Sequence, residues 1–396
     1  MKLFTKNALK RLGTLAVVLI VGYVIFISCC SVIETPPYVA KKLPVRPFTP
    51  AQSGNGELVL DPGSNQVPIL VLRGTPAEMG QQQGTLLKPQ LDILVANYLD
   101  RFLSKDANKQ RALDALKEMT TFMPPEYVQE LETLAQASGI APEKLLLLHT
   151  IIDEPRVPFC SAVIASGPAT VDGGLIFGRN LDFASLGIAK DYSLITVFHP
   201  AGKKPFAAVT WPGFVGVISG INSDGLAVAM LLSMDGVTNL SGMPSIMLFR
   251  KVLEEASDID GAIKIITAAR RTAPTNLAVA DAQNKSAVIE FTSTDVELRY
   301  PEKGLLYSTN WFRSAKLKQS SGDWRYATMV GCAKQVSGRL DVPGTIRILN
   351  QVPLPLLNLQ SMVFLPKDRT VYFSAGQIPA SNGPFRLIDL KPYLAK

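Results

Sequence analysis

Residues 157–183 read VPFCSAVIASGPATVDGGLIFGRNLDF. A strand-like apolar run starts at Cys160. A turn follows at Asp172-Gly173-Gly174, and a second apolar run ends in Gly178-Arg179-Asn180-Leu181-Asp182. Two such runs about a Gly-rich turn predict a β-hairpin. The hairpin returns Arg179 and Asp182 to the start of its first strand, beside Cys160. A thiol next to a guanidinium and a carboxylate suits an activated nucleophile, because nearby positive charge favours the thiolate. A cysteine in an apolar strand is, taken alone, more often a small buried hydrophobe. The surroundings shift that balance: Val157-Pro158-Phe159 breaks any preceding helix, and the texture changes from helical to β-rich at this point.

The chain has 396 residues, 47% of them apolar and 18% charged, which describes a globular protein with enough apolar side chains for a large core. Its net charge of +7 is mild for this length. With no basic stripe interleaved with aromatics, nucleic acid is a poor partner. Part of the excess is Lys2, Lys6, Lys10 and Arg11, which precede a charge-free run from Leu12 to Ile33. This pattern predicts a secretory signal or a membrane anchor over residues 1–33, with the body exported. Phe26-Ile27-Ser28-Cys29 resembles a bacterial lipoprotein cleavage box that would leave a lipidated Cys29, although Phe26 stands where Leu is usual. An uncleaved helix long enough to span a bilayer competes with it. The expected location is the bacterial periplasm or cell envelope, tethered through the N-terminus.

Outside the leader, which also holds Cys30, the cysteines are Cys160 and Cys332. This is not a disulfide scaffold. A bridge between the two would disable Cys160 as a nucleophile, and Cys332, in a helical stretch, reads as a small apolar residue. The two histidines, His149 and His199, both look structural, and with no paired-cysteine spacing a zinc site is not expected. A catalytic Cys160 therefore needs another base, and the economical source is its own α-amine, which titrates near pH 7.7–8.0. That requires cleavage between Phe159 and Cys160.

Along the chain, residues 34–65 are rich in Pro, Gly and Ser and read as a spacer. A strand at Ile69–Leu72 leads into a helix opened by a capping box at Thr75 and Glu78, with Pro76 at its first position. Further helices are expected over 107–121, 125–138 and 142–149, so that 66–159 is mostly helical. The β-rich part, 160–396, has strands expected at 160–165, 174–178, 193–199, 206–210, 215–219 and 226–232. Helices follow at 245–256 and 259–270, and strands resume at 277–281, 286–292, 295–299 and 305–308. Helices at 324–336 and 342–349 and strands at 361–365 and 370–374 complete the pattern. The order predicts an α+β fold of two sheets sandwiched between helical layers.

In this order and spacing, several motifs resemble those of N-terminal-nucleophile hydrolases of the acyl-coenzyme A:6-aminopenicillanic acid acyltransferase type. These are related to choloylglycine hydrolases, penicillin V acylases, acid ceramidase and N-acylethanolamine acid amidase. The motifs are Gly74-Thr75-Pro76-Ala77-Glu78-Met79-Gly80 with Gly84, Cys160-Ser161-Ala162, Gly178-Arg179-Asn180-Leu181-Asp182, and Gly220-Ile221-Asn222-Ser223-Asp224-Gly225-Leu226. The resemblance implies a four-layer αββα sandwich of two antiparallel sheets, with a helical N-terminal pro-part. It implies Cys160 as nucleophile and, through its freed amine, as base. Asp182 would orient that amine, and Arg179 would lower the thiol pKa and position the reacting carbonyl. Asn310, in Tyr307-Ser308-Thr309-Asn310, would stabilise an oxyanion, and Arg325, in Asp323-Trp324-Arg325-Tyr326, would be a second site arginine.

Each of these has a plainer reading. Arg179 and Asp182 suit a surface ion pair, Asn310 a cap, Arg325 an exposed helix position, and Asn222 with Gly225 ordinary turn chemistry. Two departures stand out: Phe159 occupies a position often held by Gly, and Leu231 and Leu232 replace a polar or aromatic substrate-facing residue. The second argues against a bile-salt site and for an apolar acyl pocket. The expectation is a self-cleaving cysteine amidohydrolase acting on an N-acylated small molecule through a thioester, with no cofactor or metal. Its parts would be an α/β heterodimer from one precursor. Acyl transfer to an amine and an inert tethered scaffold are the alternatives. A scaffold has no chemical need for Cys160, Arg179, Asp182 and Asn310 together.

Overall fold

The computed structural model describes residues 45–64, 66–100, 106–153, 159–320, 322–336 and 338–395. The leader, Cys29 and the first part of the expected spacer lie outside them. Strands β1 (Ala51–Ser53), β2 (Gly56–Asp61) and β3 (Val67–Gly74) come first. The spacer reading of 34–65 is thus corrected over 51–61: β1 is held by pairing with β2, and β2 by pairing with β3.

Helices α1 (Pro76–Leu86), α2 (Lys88–Ile93), α3 (Asp106–Met119), α4 (Pro125–Ser138) and α5 (Pro142–Thr150) follow, with a wider π-type turn at Leu94–Leu99. The expected capping box opens α1. Thr75 N–H donates to Glu78 Oε2 at 2.7 Å, and Glu78 N–H donates to Thr75 Oγ1 at 3.3 Å. The Gly80 and Gly84 of the motif lie against α4. A Cβ on Gly84 would come 2.6 Å from the Leu134 carbonyl oxygen, and one on Gly80 would collide with that of Glu130. Glycine is required there so that two helices can meet backbone to backbone.

The β-rich part begins with β4 (Phe159–Ala165), β5 (Ile176–Asp182), β6 (Leu194–Pro200), β7 (Phe206–Thr210), β8 (Ser219–Asn222) and β9 (Ala227–Leu232). Next come α6 (Ser245–Glu255), α7 (Ile259–Ala268), β10 (Thr275–Ala280), β11 (Ser286–Phe291), β12 (Val296–Arg299) and β13 (Leu305–Ser308). Helices α8 (Trp324–Gln335) and α9 (Val342–Leu349), strands β14 (Asn358–Leu365), β15 (Thr370–Ser374) and β16 (Arg386–Asp389), and the short α10 (Lys391–Leu394) finish the chain. The strand expected at 215–219 starts only at Ser219. Val215 N–H is committed to His149 Nε2 at 2.9 Å and Val217 N–H to the Ile246 carbonyl at 2.8 Å, so neither amide is free for a ladder.

Two sheets result, one of order β1-β2-β3-β6-β7-β8-β9-β10-β11-β12 and one of order β13-β4-β5-β14-β15-β16. Their neighbours are antiparallel except β3 and β6, which pair in parallel. Met329, Ala333, Ile348 and Leu349 of α8 and α9 bury Val163, Ile176 and Val363 of the smaller sheet. Strands β4 and β9 face each other between the sheets, and α1, α6 and α7 cover the larger sheet. This is the expected α+β sandwich. The part before Cys160 is not only helical, because it also supplies three strands to the larger sheet.

A buried cluster ties α4 to α6. Arg250 pairs with Glu130 at 2.7 Å and with Glu254 at 2.8 Å. Glu254 also accepts from the Tyr127 hydroxyl and from Lys203, each at 2.6 Å. Removing one partner from such a buried pair costs about 3–5 kcal/mol, because the other charge stays in a low-dielectric site.

Candidate active site

The hairpin of β4 and β5 forms as the sequence predicts. Asp172 Oδ1 accepts from Gly174 N–H at 2.9 Å, and Gly173 takes a φ of +75° in the turn. The register sets Phe159 opposite Asp182, Cys160 opposite Leu181 and Ala162 opposite Arg179. On the other side of β4, Ser308 pairs with Ala162, which carries the following Asn310 to the level of Cys160. Cys160, Arg179, Asp182, Asn310 and Arg325 are all buried, so the surface readings of Arg179, Asp182 and Arg325 fail.

Contacts bind these residues into one unit. Cys160 N–H donates to Asn310 Oδ1 at 2.8 Å. Arg325 donates from Nη1 to the Cys160 carbonyl at 3.1 Å and from Nη2 to Asn310 Oδ1 at 2.9 Å, and it lies 3.4 Å from Asp182 Oδ2. Asp323 turns Arg325 inward: it caps α8 by accepting from Tyr326 N–H at 3.2 Å while holding Arg325 Nε at 2.7 Å. Arg179 donates from Nη2 to the Met230 carbonyl at 2.9 Å, bridging the two sheets. Its Nε and Nη1 are buried without an acceptor of good geometry.

Asn310 Nδ2 donates to the Leu232 carbonyl at 2.7 Å, and its Oδ1 holds the Cys160 nitrogen, so these contacts orient the backbone of Cys160. Burial pushes the Cys160 thiol up, while Arg179 beside it pulls the other way, the direction expected of it; in this structure burial dominates and favours the protonated thiol.

Burial raises the Asp182 carboxyl to about 6, against the opposing pull of Arg325 and hydrogen bonds from Asn358 Nδ2 at 2.8 Å and Leu354 N–H at 3.3 Å. A carboxyl whose folded pKa lies above its unfolded value binds its proton more tightly when folded. Its ionised form weakens the fold at neutral pH, and stability returns as pH falls through about 6 towards 4. The expected gain from this group is roughly 2 kcal/mol between pH 7 and pH 4. Urea denaturation should show it in the chain with Cys160→Ala and lose it when Asp182→Asn is added; an unchanged pH profile in the double variant would refute the assignment.

Cys160 lines a pocket of about 830 Å³, its mouth included, with almost entirely apolar walls. Tyr98, Leu99 and Ile152 from the upstream part face Trp211, Phe214 and Met230 from the downstream part. The lining is apolar, with one correction to the expectation: Met230, not Leu231 or Leu232, faces the pocket, while Leu232 supplies the carbonyl that holds Asn310. Sequence reasoning missed Met230 and Asn358. Strand alternation puts 230 and 231 on opposite faces, but the pattern alone does not say which face meets the cavity. Asn358 carried no signal beyond opening a strand.

The histidines are structural, as read. His149 is buried, donates from Nδ1 to the Leu145 carbonyl at 2.7 Å and accepts Val215 N–H; burial lowers it to about 4. His199 Nε2 lies 2.7 Å from the Tyr393 carbonyl. Asn222 caps its turn by accepting from Asp224 and Leu226 N–H. Cys160 and Cys332 are both free, and Cys332 is half-buried on α8. Among the described residues no group of side chains could hold a metal ion, and no helix is long and apolar enough to cross a membrane.

A family model described as acyl-coenzyme A:6-aminopenicillanic acid acyl-transferase matches residues 170–329. That span holds Arg179, Asp182, Asn310 and Arg325, with Cys160 just upstream. The protein dcd1B of Dictyostelium discoideum is 30% identical over 277 residues, covering 63% of this chain and 55% of its own. The acyl-coenzyme A:6-aminopenicillanic-acid-acyltransferase 40 kDa form of Emericella nidulans is 24% identical over 206 residues, covering 49% of this chain and 55% of its own. The chain thus spans little more than half the length of these relatives. Among solved structures, the Caenorhabditis elegans N-acylethanolamine-hydrolyzing acid amidase ortholog is similar with a TM-score of 0.46 at 22% identity, covering 52% of this chain and 93% of that one. Over residues 170–329 this chain is thus similar to the acyl-coenzyme A:6-aminopenicillanic acid acyl-transferase family.

Proposed function

We propose that this protein is a cysteine amidohydrolase of the N-terminal-nucleophile kind, activated by its own cleavage between Phe159 and Cys160. One observation carries the reading. The nitrogen and carbonyl of Cys160 are gripped by Asn310 and Arg325 while its thiol lies beside Arg179 at an apolar pocket. In activation, Sγ bonds to the Phe159 carbonyl carbon, the carbon–nitrogen bond breaks, and the thiol proton ends on the departing Cys160 amine. Water then hydrolyses the thioester, leaving a Phe159 carboxylate, a free thiol and a free α-amine.

In turnover, that amine takes the thiol proton, an assignment its pKa range permits at neutral pH. The thiolate attacks the carbonyl of an N-acylated small molecule whose apolar acyl chain fills the pocket. Arg179 Nε and Nη1 are the donors available to the developing oxyanion. The amine leaves with the proton, and water resolves the acyl-enzyme. Resolution by an acceptor amine is the second reading, favoured by the acyl-transferase description of the family. Export and N-terminal tethering are proposed on the leader alone, with its basic residues ahead of an uncharged run.

The test is the intact mass of the purified wild-type body. Two noncovalently associated chains meeting at Phe159–Cys160 are expected, followed by release of fatty acid from N-acyl amides. A single uncut chain with no amidase activity would sink the proposal.

A further inference from the structure

Part of the pocket wall is a turn at residues 211–214, between β7 and β8, whose Trp211, Pro212 and Phe214 line the same cavity as Cys160. Phe214 N–H closes the turn on the Trp211 carbonyl at 3.2 Å, and Gly213 takes a φ of +87° within it. On the downstream side, Trp211 Nε1 donates to the Ala189 carbonyl at 2.8 Å. Two further ties come from upstream of Cys160. Gln83, on α1 and buried, bonds to two consecutive residues of the turn: its Oε1 accepts from Gly213 N–H at 3.0 Å, and its Nε2 donates to the Phe214 carbonyl at 3.3 Å. His149 takes the next amide, that of Val215, and its ring centre lies 5.4 Å from that of Phe214. The turn also sits close on α2, where a Cβ on Gly213 would come 2.8 Å from Leu91.

We infer that Gln83 is a positioning residue for acyl selectivity, holding Trp211 and Phe214 where they pack against the acyl chain of the substrate. Its primary amide offers a donor and an acceptor at once, and the turn uses both. Without it, the Gly213 N–H and the Phe214 carbonyl would be buried and unpaired, and a glycine at positive φ leaves the turn free to rearrange. A long acyl chain fills the pocket and meets this wall, whereas an acetyl group leaves most of it empty. In an apolar pocket a difference of one methylene is already worth about 10–200-fold. The inference rests on the amidase reading above. It adds a consequence to the proposed cut: Gln83 and the wall it holds would then lie on different chains, so the upstream chain remains part of substrate choice.

The experiment compares the full chain as wild type and as Gln83→Met, which keeps the side chain's length and removes both hydrogen bonds. Each is assayed on the N-dodecanoyl and N-acetyl derivatives of one fluorogenic amine. The dodecanoyl-to-acetyl ratio of kcat/KM should fall at least about tenfold in the variant, with most of the loss in KM. A merely structural role would lower both substrates by the same factor. An equal loss on both, or a ratio within about threefold of wild type, overturns the inference. Should Gln83→Met fail to fold, Gln83→Glu decides: it keeps the acceptor for Gly213 and loses the donor to Phe214. A ratio lowered more than about threefold then supports the inference, and an unchanged ratio overturns it. A wild-type chain that hydrolyses neither amide removes the amidase reading, and the wall is then tested by binding alone. Dodecanoate titrated against tryptophan fluorescence should bind at least about tenfold more weakly to the variant, and equal Kd values overturn the inference.

Discussion

A chain carrying Cys160→Ala stays in one piece and loses amide hydrolysis by on the order of 10⁴-fold or more. The substitution removes the only thiol that lines the pocket among the described residues, and with it both proposed reactions: self-cleavage and substrate attack use the same sulfur. It should leave the fold almost untouched. The backbone contacts of residue 160, its N–H to Asn310 and its carbonyl to Arg325, do not involve the side chain. The loss therefore appears in chemistry and not in stability, which separates a nucleophile from a buried small hydrophobe. Intact mass and release of a fluorescent amine from an N-acyl substrate measure the two effects. An alanine variant that is still cut at Phe159–Cys160 would show that the cleavage is not the chain's own.

Arg325→Met should be the most destabilising single change in the site, at about 3–5 kcal/mol. Methionine fills much of the stem's volume but removes the charge that faces Asp182 and the donors to Cys160 and Asn310. A whole domain is stable by only about 5–15 kcal/mol, so the loss is visible at once in denaturation. It also has a pH signature. Without Arg325, the Asp182 carboxyl rises further above its already raised value of about 6. The ionised form then costs more at neutral pH, and protonation relieves that cost as pH falls. Urea denaturation in the Cys160→Ala background should thus show a larger deficit at pH 7.5 than at pH 5. Equal deficits at both values would contradict the pairing with Asp182.

Much of this site was legible before the fold. The hairpin needs only two alternating apolar runs and a Gly turn, and its register alone brings Asp182 and Arg179 to Cys160. Arg325 was legible only through the motif around it, because an arginine at the second position of a helix is ordinarily solvated; the capping Asp323 turns it inward. The role of Asn310 depends on which way its amide points, and that is set by the Leu232 carbonyl on a strand of the other sheet. Strand β2 escaped because its pairing with β3 fixes it, and β1, three residues long, because it is held by β2.

The larger sheet takes β1, β2 and β3 from before Cys160 and β6 to β12 from after it, joined by the parallel ladder from Ile69–Ile195 to Gly74–Pro200. Covalent and hydrogen-bonded connectivity therefore run differently through this protein. A cut between Phe159 and Cys160 would sever β4 after its first residue yet leave the ladder of the larger sheet whole, and it would open no new edge strand for another chain to pair with. The two products would inherit a seam already zipped along its whole length, one that no encounter between free fragments has to find.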